Sequence, residues 1–161
     1  MLNPKDEYYL KIIFTLSLIA LISAYFIEYI LGHQPCNLCL IERIPYGLSM
    51  IFIIVIFTLR KNEKFLILLL ILTFFFSFAI SIYHYGIEQG FFSESLVCDL
   101  GSSNENMSKE DLLKQLRKTP ISCKDVTFRF FGLSLATINT VISILLSAIM
   151  CRVIKNYGKN Q

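Results

Sequence analysis

Tryptophan is absent from this sequence, histidine occurs only twice and charged residues make up only 17% of the chain. The lysines and arginines that are present form no basic stripe, which removes the electrostatic footprint of a nucleic-acid module. There is one Cys-x-x-Cys and no second paired motif at ligand spacing, so a zinc or copper site built from His33, Cys36, Cys39 and the remaining cysteines has little support. No small-residue cleavage site follows the first apolar run, and the opening MLNPKDEYYLK carries charges of both signs, so that run reads as a retained span. What the chain has in quantity is apolar surface. Over 161 residues it is 55% hydrophobic, with a mean hydropathy of +0.60, which points to one integral membrane domain over 1–161.

Four apolar runs are long enough, or nearly so, for the roughly 20 residues that a helix needs to cross the hydrocarbon core. They predict an all-α four-transmembrane-helix bundle with helices over about 11–31, 44–60, 65–85 and 130–152, and with two outer loops, 32–43 and 86–129. In the second loop Ser108, Glu110 and Asp111 make a helix start signal, and Leu112, Leu113 and Leu116 predict a short amphipathic helix that Pro120 ends.

An even number of spans puts both termini on one side with the turn RKNEK. Lys5, Lys11, Arg60, Lys61, Lys64, Arg152, Lys155 and Lys159 crowd near helix ends there. On the other side Arg43 stands alone and Lys109, Lys114, Arg117, Lys118, Lys124 and Arg129 are diluted through a long loop, so the termini are expected inside. That orientation places Cys36, Cys39, Cys98 and Cys123 together on the oxidising face and leaves Cys151, read as an inert thiol, near the cytoplasmic end.

The stretch QPCNLCLIER carries the chemistry. A Cys-x-x-Cys pair closes a small, readily exchanged ring, and a helix N-terminus or a nearby cation stabilises the thiolate formed on reduction. Cys39 precedes the second span, Pro45 falls in that helix's first turn, and Arg43 lies one turn beyond Cys39 on the same face. A purely structural Cys36–Cys39 bridge stabilises little, because so short a loop saves little unfolded-chain entropy. Arg43 alone reads as a snorkelling anchor, and Tyr25, Tyr46 and Tyr83 as interface aromatics. Next to the cysteine, Arg43 suits a contact to the carbonyl oxygen of an acceptor. His84 and Glu88, in YHYGIEQG, suit either an interfacial cap or polar packing, or a site near a quinone or a proton path; Glu28 and Glu42 read as structural ion-pair partners.

Pro35, Cys36, Cys39, Glu42 and Arg43 match the motif P-C-x-x-C-x-x-E-R, and with four spans, the YHYGIEQG exit and the second pair Cys98 and Cys123 the chain resembles the bacterial disulfide bond formation protein B (DsbB) family over nearly its whole length. The resemblance implies a quinone-dependent thiol:disulfide oxidoreductase of the bacterial inner membrane with catalytic Cys36, Cys39, Cys98 and Cys123. It implies that Cys98 and Cys123 start as a disulfide that oxidises a periplasmic thioredoxin-like, DsbA-like partner, with the attack at Cys98. The Cys36–Cys39 pair then takes the electrons, and ubiquinone or menaquinone is reached through Cys39, Arg43 and His84. A membrane partner and quinone keep such a periplasm oxidising, a system that is itself a standard example of redox poise. Two rivals use similar parts. A vitamin K epoxide reductase-like quinone reductase has its loop cysteines before the Cys-x-x-Cys, the reverse of the order here, and a non-enzymatic metal-binding membrane protein would use the same cysteines and the two histidines.

Overall fold

The computed structural model of the chain describes residues 4–59, 62–93, 98, 122–124 and 128–159. Helix α1 spans Pro4–Tyr29, the short α2 spans Asn37–Ile41, α3 spans Arg43–Leu59, α4 spans Glu63–Glu88 and α5 spans Leu135–Lys159. Four membrane-length segments result: α1, α2 and α3 taken together, α4, and α5. The protein is a multi-pass, four-helix membrane protein. The predicted helix over 108–118 lies outside the described residues.

The helix ends differ from the sequence expectation for local reasons. Helix α1 starts at Pro4, not near 11, because proline suits the first helical position and Asp6 and Glu7 suit the first turn, where the macrodipole favours acids. It stops before Gly32, whose φ of 74° ends the last turn. The fourth span begins at Leu135, not at 130. Apolarity alone reads FRFFGLSL as membrane helix, but Arg129–Phe130 and Leu133–Ser134 pair as antiparallel strands β1 and β2. The two residues between them, Phe131 and Gly132, both have positive φ, the requirement of a tight two-residue hairpin. Ser134 then accepts the Thr137 N–H at 3.2 Å and starts α5.

The helices neighbour one another in the order α1, α3, α4, α5 and back to α1. On α4 the buried positions Ile67, Leu70, Phe74, Ser77, Ser81 and His84 alternate three and four apart, the seam spacing of helices that pack at a shallow angle. The seam changes character along its length. Ile67, Leu70 and Phe74 join Leu10, Ile13, Ile53, Ile56, Leu146, Met150 and Val153 in an apolar core. Beyond them the seam turns polar. Ser17 meets Ser49 at 3.1 Å, Ser77 meets Ser143 at 3.0 Å, and the Asn139 amide donates to Ser81 at 2.8 Å while its oxygen accepts from the Tyr46 hydroxyl. Ile19, Ile22, Ile51, Ile54, Leu72, Phe75 and Leu145 point outward and are exposed, the side that hydrocarbon chains cover. Lipid and core are about equally apolar, so small serines and their hydrogen bonds hold the helices together where they approach closely.

Candidate active site

The polar half of the seam ends at the cysteines. Cys36 occupies the N-cap of α2, in extended backbone, and its Sγ accepts the Cys39 N–H at 3.3 Å. The intervening turn of helix brings the Cys39 Sγ to 2.7 Å from the Cys36 Sγ. Both are free thiols, Cys36 buried and Cys39 half-buried. From α4, the His84 Nε2 approaches the Cys36 Sγ at 3.6 Å, and the His84 Nδ1 lies 3.1 Å from the Glu42 Oε1. His84 is 2% exposed and Glu42 6%, so a sulfur, an imidazole and a carboxylate form a hydrogen-bonded row inside the protein. The Cys36 thiol is pulled down to about 5, first by the hydrogen bond with the Cys39 thiol and then by the contact and field of His84, against burial that pushes it up.

Cys98 and Cys123 form a disulfide across a sequence separation of 25 residues. The bridge is buried, and it packs in one apolar cluster with Cys36, Leu38 and Ile87, flanked by Cys39, Ile41, Ile80 and Tyr83. Both cysteine pairs thus share one end of the bundle. The end of α4 contributes to this closure: Gly90, at φ 77°, ends the helix, and the chain folds back so that the Phe92 ring packs against Tyr83 with centroids 5.6 Å apart. A Cβ on Gly86 would meet Phe92 Cδ2 at 2.3 Å, so glycine is what lets the chain lie this close.

Arg43 sits one turn beyond Cys39 at the start of α3. Its Nη1 donates to the Glu28 carboxylate of α1, and its guanidinium lies 5.0 Å over the Tyr25 ring. Leu21, Tyr25, Glu28, Tyr29, Leu40, Arg43, Ile44 and Gly47 line an open groove of about 450 Å³ between α1 and α3.

The family model described as "Disulfide bond formation protein DsbB" matches residues 7–153. The chain belongs to the DsbB family. An uncharacterized protein of Rickettsia prowazekii (strain Madrid E) is 30% identical over 146 residues, covering 88% of this chain and 85% of the relative. No solved structure matches. Membership in the DsbB family makes this a membrane disulfide oxidoreductase, and the two cysteine pairs lie together at one end of the bundle.

Within this DsbB-family framework the sequence-predicted residues fall into three places. Cys36, Cys39 and His84 form one constellation, Cys98 and Cys123 close on top of it, and Arg43 faces the groove. His84, expected with Arg43 at an acceptor, is not among the groove-lining residues; it reaches Cys36 from α4. Glu28 does pair with a basic neighbour, Arg43. Glu42 pairs instead with His84, 42 positions away, and no spacing rule could have linked them. The thiolate-stabilising contacts also collect on Cys36, where the sequence had placed them on Cys39, because Cys36 is the residue at the helix N-cap. His33 stays apart from this row, tilted against the Phe128 ring at 5.1 Å.

Proposed function

We propose that this protein oxidises a periplasmic thioredoxin-like dithiol partner of the DsbA type and passes the electrons to a membrane quinone, with the cysteine end of the bundle facing the periplasm and the termini in the cytoplasm. The observation that carries the reading is the packing of the Cys98–Cys123 disulfide in one cluster with Cys36 and flanking Cys39, which sets the two cysteine pairs side by side for exchange.

The exchange balances in thiols and disulfides. A thiolate of the reduced partner attacks the Cys98–Cys123 bond at Cys98, and the partner's second thiol resolves the mixed disulfide, leaving the partner oxidised and the loop pair reduced. A loop thiolate then attacks the Cys36 sulfur of a Cys36–Cys39 disulfide and expels Cys39. The second loop thiol closes the Cys98–Cys123 bond and expels Cys36. That last step has a good leaving group, because His84 and the Cys39 N–H hold the Cys36 thiolate.

The groove beside Arg43 fits a quinone in its chemistry: leucine, isoleucine and tyrosine walls suit a ring with an apolar tail, and the guanidinium presents N–H donors beyond the Nη1 that engages Glu28. Bound there, a quinone supplies the two-electron, two-proton acceptor that returns Cys36 and Cys39 to the disulfide. Glu28 and Tyr25 orient the guanidinium, and Leu40 and Ile44 add apolar wall beside it. The test is reconstitution of the purified protein with quinone and a reduced thioredoxin-like oxidase, following thiol loss in the single serine variants of Cys36, Cys39, Cys98 and Cys123. All four should stop turnover; turnover that survives loss of Cys36 or Cys39 ends the proposal.

A further inference from the structure

The cysteine pair and His84 also have the makings of a metal site. Cys36 Sγ, Cys39 Sγ and one ring nitrogen of His84 lie within 4.8 Å of one another, which is ligand spacing for a single ion. We propose that the reduced Cys36–Cys39 pair binds one thiophilic d10 cation of the Zn2+ class through the two sulfurs and the His84 Nε2, and that the ion holds the pair in its reduced state.

Four observations converge. The donor set is two sulfurs and one imidazole, the softness that zinc prefers over the oxygen-seeking cations. Glu42 engages Nδ1 of His84 at 3.1 Å and can keep a proton there, so that an ion displacing the Nε2 proton meets the Nε2 lone pair beside Cys36; carboxylate-held histidines of this kind are the usual outer support of a zinc ligand. Two thiolates neutralise a divalent cation, and the nearby guanidinium is already matched by Glu28, so the loaded site adds no net charge to an interior that would penalise one. Finally, Cys39 is only half-buried, so one of the three donors is in reach of solvent. With bonds of about 2.3 Å to sulfur, tetrahedral geometry sets the two sulfurs about 3.8 Å apart. The two sulfurs, 2.7 Å apart here, have to separate by about 1 Å to take up that geometry.

Starting from the reduced pair, with Cys36 as the thiolate held by His84, binding of Zn2+ displaces the Cys39 thiol proton and the proton at His84 Nε2 to solvent and forms two Zn–S bonds and one Zn–N bond; nothing is oxidised or reduced. In the disulfide form both sulfurs are spent on each other and the site does not exist. The site is therefore gated by the redox state of the pair, which is where the inference rests on the proposed relay.

The full-length chain carrying C98S, C123S and C151S leaves Cys36 and Cys39 as its only thiols. After reduction it is titrated anaerobically with Cd2+, read by thiolate-to-metal absorption, and with Zn2+, read by X-ray absorption, without quinone or partner. The expected result is one ion per chain, a shell of two sulfurs with nitrogen, loss of binding on reoxidation or in C36S, and an affinity about 10–100-fold lower in E42Q, the effect typical of losing an outer support. The same sulfur and nitrogen shell is expected in the reduced wild-type protein, which guards against a fold defect in the variants. A shell without nitrogen, undiminished binding in C36S, or equal binding to the oxidised form overturns the proposal. Turnover with quinone is a separate assay, so failure of the metal site and failure of the relay are told apart.

Discussion

The two halves of the bundle interior share one seam and differ in what fills it. Around Ile67, Leu70 and Phe74 the contacts are apolar and non-directional; from Ser77 through Ser81 to His84 they are hydrogen bonds with fixed partners. An apolar contact tolerates small shifts, whereas a row such as Glu42, His84 and Cys36 works only if each atom faces its partner. The apolar half therefore holds the helices in register, and the polar half uses that register to set the state of a sulfur.

Four changes break or sharpen this contrast, beginning with the largest effect. Cys36→Ser should abolish quinone-linked turnover while Cys98 and Cys123 still oxidise one equivalent of partner. A stopped-flow count of a single equivalent, with no steady state after it, is the expected trace, and sustained turnover would refute the division of labour. Phe74→Ala, in the other half, should remove about 3–5 kcal/mol of stability by the usual penalty for emptying a buried aromatic site, seen as a lower unfolding midpoint in detergent, with the thiol chemistry of the folded fraction unchanged. Arg43→Ala should raise the quinone KM by about tenfold, corresponding to about 1.4 kcal/mol, and leave exchange with the partner dithiol intact. Equal quinone kinetics would reduce Arg43 to an anchor.

The fourth change is small and concerns pH. Because Cys36 titrates at about 5, its thiolate dominates from neutral pH down to about 6, and alkylation of the reduced pair should fall to half near pH 5. The sign follows from the cause: His84 and Cys39 favour the charged sulfur, so His84→Gln should move the midpoint upward, and a midpoint that stays fixed would show the imidazole to be a bystander. A control at the least sensitive place is Ser77→Ala, which removes one Ser–Ser hydrogen bond and should change stability by only about 0.6 kcal/mol, the average for such bonds inside membranes.

Spans were legible because hydropathy integrates over twenty residues and needs no knowledge of partners. The same averaging hid the Phe131–Gly132 hairpin, where a glycine and a capping serine inside an apolar run were the only signal. Cys36, Cys39 and Arg43 were legible because their relation is local, set by the pitch of one helix. Glu42 was in view but assigned to a neighbour in sequence, since ion pairs across 42 positions leave no trace in spacing.

By itself, then, the sequence determined a four-span membrane protein and a Cys-x-x-Cys at a helix start, because hydrophobic length and helical spacing are properties of consecutive residues. Tertiary structure alone decided which sulfur holds the charge. That depends on α4 delivering His84 to Cys36 and on Glu42 holding the imidazole, beside the cluster in which Cys98 and Cys123 pack against Cys36. Electrostatic control of a thiol acts over a few ångströms, and only the packed bundle brings those groups within that distance.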